Sequence, residues 1–216
     1  MSGENNNGIF ITLEGPEGAG KTTQIALLAE WLRELGLEVV QTREPGAGEL
    51  GRQIRALLLE QREAAVSPMA EALLMAADRA QHVDELVRPA LSEGKLVLCD
   101  RYIDSHIAYQ GYGRGLDVGF LRSLNEQAAG LWPDMTLLLL LPPEVGLARA
   151  DGRGAADRME AETLAFHQRV AAGYAAIAAE EPGRVRVINA DAAAEEVQRD
   201  IRSAVLELLR RKGPAE

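Results

Sequence analysis

Gly15-Pro16-Glu17-Gly18-Ala19-Gly20-Lys21-Thr22 has the spacing G-x-x-x-x-G-K-[ST]. Residues of these types at this spacing handle polyphosphates. The glycines let successive backbone N–H groups turn inward around phosphate oxygens. The lysine reaches the β- and γ-phosphates, and the threonine hydroxyl can ligate Mg²⁺. The apolar run Ile9–Leu13 precedes the octet and a helical pattern follows it, as this chemistry requires. The competing reading is an ordinary glycine-rich turn between a strand and a helix.

Charged residues close two further apolar runs. Asp100-Arg101 follows Leu96–Cys99, where a Walker-B-type acid belongs, so Asp100 is expected to serve Mg²⁺ opposite Thr22. Arg43 leaves the run at Val39-Val40, Pro45-Gly46 turns the chain behind it, and Arg55 falls on the next helix. Arg43, Arg55 and Arg101 could together form a second anion site facing the first. Between Arg149 and Arg158 lie two glycines and a third arginine, Arg153. A hinged, arginine-bearing lid over residues 149–160 would suit phosphoryl transfer, which needs charge neutralised and water excluded. The plainer readings are a solvated strand-end acid, surface arginines and a solvated loop.

Elements that would position these groups alternate along the chain. Strands are expected at Ile9–Leu13, Val39-Val40, Leu96–Cys99, Met135–Leu140 and Arg184–Ile188. Helical spacing marks Ile25 to Leu35, residues 49–60, one long helix from Pro68 to Ser92, two helices within 103–130, helix on either side of the 151–158 interruption, and Val197 to Leu208. The strands are continuously apolar, which fits burial on both faces. The expectation is an α/β fold with a five-stranded parallel sheet and helices on both faces, its ligands beyond the strands' carboxyl ends.

At 216 residues the chain is long enough for one such domain. Its polar start, residues 1–7, reads as a disordered tail without a signal segment. The net charge of −10 opposes a nucleic-acid backbone, so any anionic ligand must be held by a local Arg/Lys cluster. One cysteine, Cys99, excludes an intrachain disulfide and fits a reducing, cytoplasmic setting. His82, His106 and His167 lack metal-ligand spacing. The longest apolar run, Met135 to Leu141, is too short to span a bilayer.

Beyond these motifs the chain resembles bacterial thymidylate kinases, on a P-loop NTPase fold, over almost its whole length. The likeness rests on Phe10–Gln24, Thr42-Arg-Glu-Pro-Gly46, Ala76-Ala-Asp-Arg-Ala-Gln-His82, Asp100–Ser105, Ala108-Tyr-Gln-Gly111, Arg114-Gly-Leu116, Asp157–Glu160 and Phe166-His167. It implies transfer of the γ-phosphoryl of ATP to dTMP, with Mg²⁺, in a homodimer. It places Gly15, Glu17, Gly18, Ala19, Gly20, Lys21, Thr22 and Thr23 on ATP phosphates and Arg149 toward the adenine. Thr22 and Asp100 would serve the metal. Arg43, Arg55 and Arg101 would hold the acceptor phosphate, Arg79 and Gln110 the thymine edge, and Tyr109 the deoxyribose, with Ser105 beside them. With Glu17 facing the acceptor and no arginine in the octet, the resemblance sends the catalytic arginine to Arg153 or Arg158.

Two positions depart from the family's pattern. Met75 stands where members usually carry a phenylalanine stacked on thymine, and His106 where a second serine usually follows Ser105. Both concern acceptor identity, so a kinase of another pyrimidine monophosphate such as dUMP stays open. A nucleotide switch without a small acceptor is the rival from another class. It would leave the acceptor-side arginines unexplained, and the N-K-x-D motif of guanine switches is absent.

Overall fold

All five apolar runs become strands of one sheet in the computed structural model, which describes residues 8–61, 65–151 and 157–212. β1 (Ile9–Glu14), β2 (Val39–Arg43), β3 (Leu96–Asp100), β4 (Met135–Leu140) and β5 (Val185–Asn189) lie in the order β2-β3-β1-β4-β5. Every pairing is parallel. From β1 the chain first crosses to the β2 edge and only later to β4 on the other side. That reversal opens a crevice at the carboxyl ends of β1 and β3. The octet, Asp100-Arg101 and Arg43 all emerge at this edge.

Strand alternation divides the core into two layers. Ile11, Leu13, Leu98, Leu137 and Leu139 pack against Ile25, Leu28 and Leu32 of α1 (Lys21–Glu34) and Ile201 and Val205 of α9 (Ala194–Lys212). Phe10, Val97, Cys99 and Leu138 pack on the opposite face with Phe166, Val170, Tyr174 and Ile177 of α8 (Leu164–Glu180). Each of these side chains is almost wholly out of water, worth about 1.5–3 kcal/mol apiece. The remaining helices are α2 (Gly48–Leu59), α3 (Pro68–His82), α4 (Arg88–Ser92), α5 (Ile103–His106), α6 (Val118–Ala128) and α7 (Pro143–Asp151).

The structure departs from the sequence reading in its helix joints. The long helix expected over Pro68–Ser92 is two α-helical pieces joined by a π-helical stretch, Val83–Val87. Pro89 has no N–H for the preceding turn and its ring crowds that turn, so the wider π geometry takes up the mismatch. A second π-helical stretch, Ile107–Gly113, carries Tyr109 and Gln110. β2 runs on through Arg43 as a half-exposed edge strand, longer than its two valines announced. The start of α3 is as its chemistry dictates, with Ser67 accepting from Ala70 N at 3.3 Å and Pro68 in the first turn.

The 1–7 tail and Arg153 lie outside the described residues, as does part of the 149–160 segment. Among the described residues no helix is long and apolar enough to cross a membrane.

Candidate active site

Close backbone packing shapes the octet before any ligand is considered. Gly15 has φ 142°, and a Cβ there would sit 2.2 Å from Leu139 O on β4. Gly18, at φ 70°, meets Gly146 of α7 so tightly that a Cβ would lie 2.0 Å from Gly146 O. Only glycine satisfies both the dihedral and the space. The loop is thereby pressed between β4 and α7, and Gly20 delivers it to the first turn of α1.

Lys21 is buried and folds back over the loop, its Nζ donating to Gly15 O at 2.9 Å and Pro16 O at 2.8 Å. Burial and the nearby Arg101 charge pull its pKa down to about 8, against the opposing pull of Glu17, Asp100 and Glu14. Thr22 Oγ1 donates to Asp100 Oδ2 at 3.3 Å, and Asp100 Oδ1 is buried with no partner among the described residues. Two oxygen ligands, one with an unused lone pair, suit a hard cation such as Mg²⁺.

Arg101 links the end of β3 to the octet. It adopts φ 69°, which turns the chain from β3 back over β1, and its N–H donates to Leu13 O at 3.0 Å. Its guanidinium reaches Gly15 O at 3.1 Å, bonds Glu17 Oε1, and lies 5.1 Å from the Tyr109 ring centroid. Tyr109 OH donates to the same Glu17 oxygen at 2.9 Å. Burial alone would raise the Glu17 carboxyl, yet Arg101, Lys21 and Tyr109 hold it down to about 2.

A cleft of about 210 Å³ runs from the octet to α3 and α5. Glu17 through Thr23 line it together with Arg43, Arg55, Met75, Arg79, Asp100, Arg101, Ser105, His106, Tyr109 and Gln110, and with the carboxylates Glu44, Asp157 and Glu160. The fold thus brings together nearly all the residues singled out from sequence. Arg43 is exposed and Arg55 half-buried, and neither forms an ion pair with a described residue. Burial and the charge of Arg43 lower the Arg55 pKa, against the opposing pull of Asp157 and Asp100.

Three expected residues lie off the cleft wall. Gly15 opens the octet, with its carbonyl taken by Lys21 and Arg101. Arg149 donates to Ala190 O at 2.9 Å and Asp191 Oδ1 at 3.0 Å, beyond β5. Arg158 is turned away, its Nε donating to Leu58 O at 2.7 Å and its Nη2 to Glu71 at 2.6 Å.

Against this geometry, comparison with known proteins is decisive. The sequence profile described as thymidylate kinase matches residues 13–201. The chain is 54% identical over 200 residues to a thymidylate kinase of Gloeobacter violaceus, covering 91% of this chain and 94% of that one. It belongs to the thymidylate kinase family. A relative from Desulfovibrio desulfuricans is 52% identical over 213 residues, covering 95% and 98% of the two chains. The crystal structure of the Ehrlichia chaffeensis thymidylate kinase superposes with a TM-score of 0.75 at 34% identity, over 92% of this chain and 98% of the other.

Several residues of this thymidylate kinase site were not singled out by sequence reasoning. Glu14 ends β1 fully buried, accepting from Tyr102 N at 2.7 Å, Ser105 N at 3.2 Å, Ser105 Oγ and Tyr174 OH. Burial and Asp104 raise its pKa to about 7. Glu44 pairs with Arg79 Nη2 at 2.7 Å and meets His82 Nδ1 at 2.7 Å. Arg79 also donates to Asn125 Oδ1 and lies 3.0 Å from His106 Nδ1, while burial and Arg79 depress the His106 pKa to about 3. A guanidinium only donates, so the contact uses the imidazole lone pair and leaves the proton on Nε2. That atom is buried without a partner among the described residues. The available signal was a charged residue inside an apolar strand or helix face, where burial demands a partner.

Proposed function

We propose that the protein transfers the γ-phosphoryl group of ATP to the 5′-phosphate of dTMP, giving dTDP and ADP. The observation that carries this reading is one cleft lined both by the phosphate loop and by Arg43 and Arg55, which form no ion pair with a described residue. A hydrolytic switch has no use for the second anion site. The acceptor phosphate is already a competent nucleophile, so its oxygen forms the new bond to the γ-phosphorus as the bond to the β-phosphate bridging oxygen breaks. What the chain must supply is position and positive charge.

In this reading the octet amides and Lys21 grip the ATP phosphates. Arg43, Arg55 and Arg101 hold the acceptor phosphate, and Arg79, His106 and Gln110 face the base. Tyr109, fixed by Glu17 and packed edge-on against Phe166 and Tyr174, holds the family's place beside the deoxyribose, where its ring would disfavour a 2′-hydroxyl. Thr22 and Asp100 are the residues fitted to hold Mg²⁺, which when bound neutralises phosphate oxygens. Arg153 or Arg158, from the 149–160 lid, would supply the catalytic arginine, and Arg149 would approach the adenine.

We also read the chain as one kinase domain that acts in the cytoplasm, where ATP and nucleoside monophosphates meet, and as a homodimer. Leu50 and Leu57 on α2 and Met69 and Leu73 on α3 are each 42–48% exposed on two helices that pack together. Such a face supports self-association, and analytical ultracentrifugation tests it.

A coupled ADP-release assay across dTMP, dUMP, dCMP, dGMP and AMP tests the function. Turnover should require an acceptor and be fastest with dTMP. Equal ATP hydrolysis without any acceptor would sink the proposal, and a preference for dUMP would select the runner-up.

Met75 is half-buried in the cleft wall. Met75→Phe should lower the KM for dTMP up to about tenfold by adding ring stacking of roughly 0.5–1.5 kcal/mol, with the KM for ATP unchanged. A change confined to the ATP side would remove Met75 from the acceptor pocket.

A further inference from the structure

Glu71 lies on α3 one turn before Met75 and two before Arg79, with its side chain wholly buried. Charged donors converge on both of its oxygens. Gln110 Nε2 donates to Oε1 at 2.8 Å, and Arg114 Nε donates to the same oxygen at 3.1 Å. Arg158 Nη2 reaches Oε2 at 2.6 Å and Arg114 Nη2 at 3.3 Å. Burial alone would raise the carboxyl, but hydrogen bonds from Arg114, Gln110 and Arg158 bring it below the usual range. An ionised carboxylate only accepts. The Gln110 amide must therefore turn its nitrogen to Glu71 and its oxygen elsewhere. That oxygen is buried, has no partner among the described residues, and belongs to a residue of the cleft wall.

We propose that Glu71 is a positioning residue for base selection: by holding Gln110 Nε2 it fixes the sense of the amide, so that Oε1 faces the acceptor's base. This rests on the reading of Gln110 as a base-reading residue. An oxygen in that place accepts from the N3–H of thymine or uracil. Cytosine presents a bare N3 lone pair to it and is repelled. With the amide reversed, Nε2–H would meet N3 and the preference would invert. Glu71 thus selects 4-oxo pyrimidines without touching the ligand, and the two arginines keep it charged enough to do so.

The test is kcat/KM for dTMP and for dCMP, with the KM for ATP, in the full chain. The variants are Glu71→Gln, Glu71→Asp, Gln110→Ala and Glu71→Gln combined with Gln110→Ala. Glu71→Gln should lower the dTMP:dCMP ratio about tenfold or more, and Glu71→Asp, which keeps the charge but retracts from Gln110, should lower it less. In the Gln110→Ala background, Glu71→Gln should lower it no further, and the KM for ATP should hold throughout. A merely structural Glu71 would depress both acceptors together and leave the ratio where it was. An unchanged ratio in both Glu71 variants overturns the proposal. If Glu71→Gln fails to fold, Glu71→Asp decides. A dTMP-bound crystal structure with Gln110 Oε1 turned away from N3 overturns it whatever the variants do. Wild-type protein inactive on dTMP would instead defeat the functional reading itself.

Discussion

Replacing Lys21 with methionine should cut kcat roughly a hundred- to a thousandfold while the thermal transition stays nearly in place. Lys21 is the octet's only cationic side chain, and its Nζ now rests on Gly15 O and Pro16 O. Those neutral acceptors are poor substitutes for phosphate, so the ammonium is free to exchange them for the β/γ oxygens as charge develops there. Methionine fills the same volume and removes only the charge. Stopped-flow single turnover with saturating ATP and dTMP checks this, because it separates chemistry from binding. A variant with wild-type single-turnover rate would end the assignment of Lys21 to the transferred phosphate.

The depressed pKa adds a pH signature. A base whose pKa falls to about 8 gives up its proton as pH rises through that value. In the free protein kcat/KM for ATP should therefore decline above about pH 8. Bound phosphate pulls the pKa back up, so kcat at saturating ATP should hold to higher pH. Lys21→Arg, which stays charged in this range, should lack the decline in kcat/KM even if its rate is lower. A decline shared by wild type and Lys21→Arg would assign it to another group.

Arg101→Ala is expected to be the most damaging change to fold and function together. The side chain is 19% exposed and its Glu17 partner 16%, so removing the guanidinium leaves a poorly hydrated carboxylate without its ion-pair partner, with Tyr109 OH still donating to it. Breaking a pair of that kind costs about 3–5 kcal/mol, a fall in Tm of about 10 °C for a chain of this size. It also takes away a cation that bridges the octet and the acceptor end, so turnover with dTMP should fall at least a hundredfold. Combining Arg101→Ala with Glu17→Gln should recover a good part of the Tm, because the orphaned charge is gone, yet none of the turnover. If the double variant were no more stable than Arg101→Ala, the stability loss would come from packing on Tyr109 rather than from the ion pair.

Residues around the acceptor end show why such a site is only partly visible in a sequence. The chain's resemblance to the family assigns Arg79 and Gln110 to the base, with His106 beside them. Their buried partners, Glu44, Asn125 and Glu71, come from the loop after β2, from α6 and from α3, and nothing local announces which of them each will meet. The unpartnered Arg79 Nε, His106 Nε2 and Gln110 Oε1 are a second such case. Each costs on the order of 1–3 kcal/mol if left unpaired in the folded protein, an expense that marks a waiting ligand only once burial is known.

Local chemistry in the sequence determined the octet, the five strands, their parallel arrangement and the cations that must gather at their carboxyl ends. These depend on short-range rules, since glycine alone fits the loop's dihedrals and continuous apolar runs must be covered on both faces. Tertiary structure decided how the charges are divided. It tied Arg101 to Glu17, left Arg43 and Arg55 without an ion pair among the described residues, and turned Arg158 from the cleft to Glu71. Which carboxylate finds which arginine depends on packing between helices far apart in the chain. Spacing along one element cannot encode that pairing.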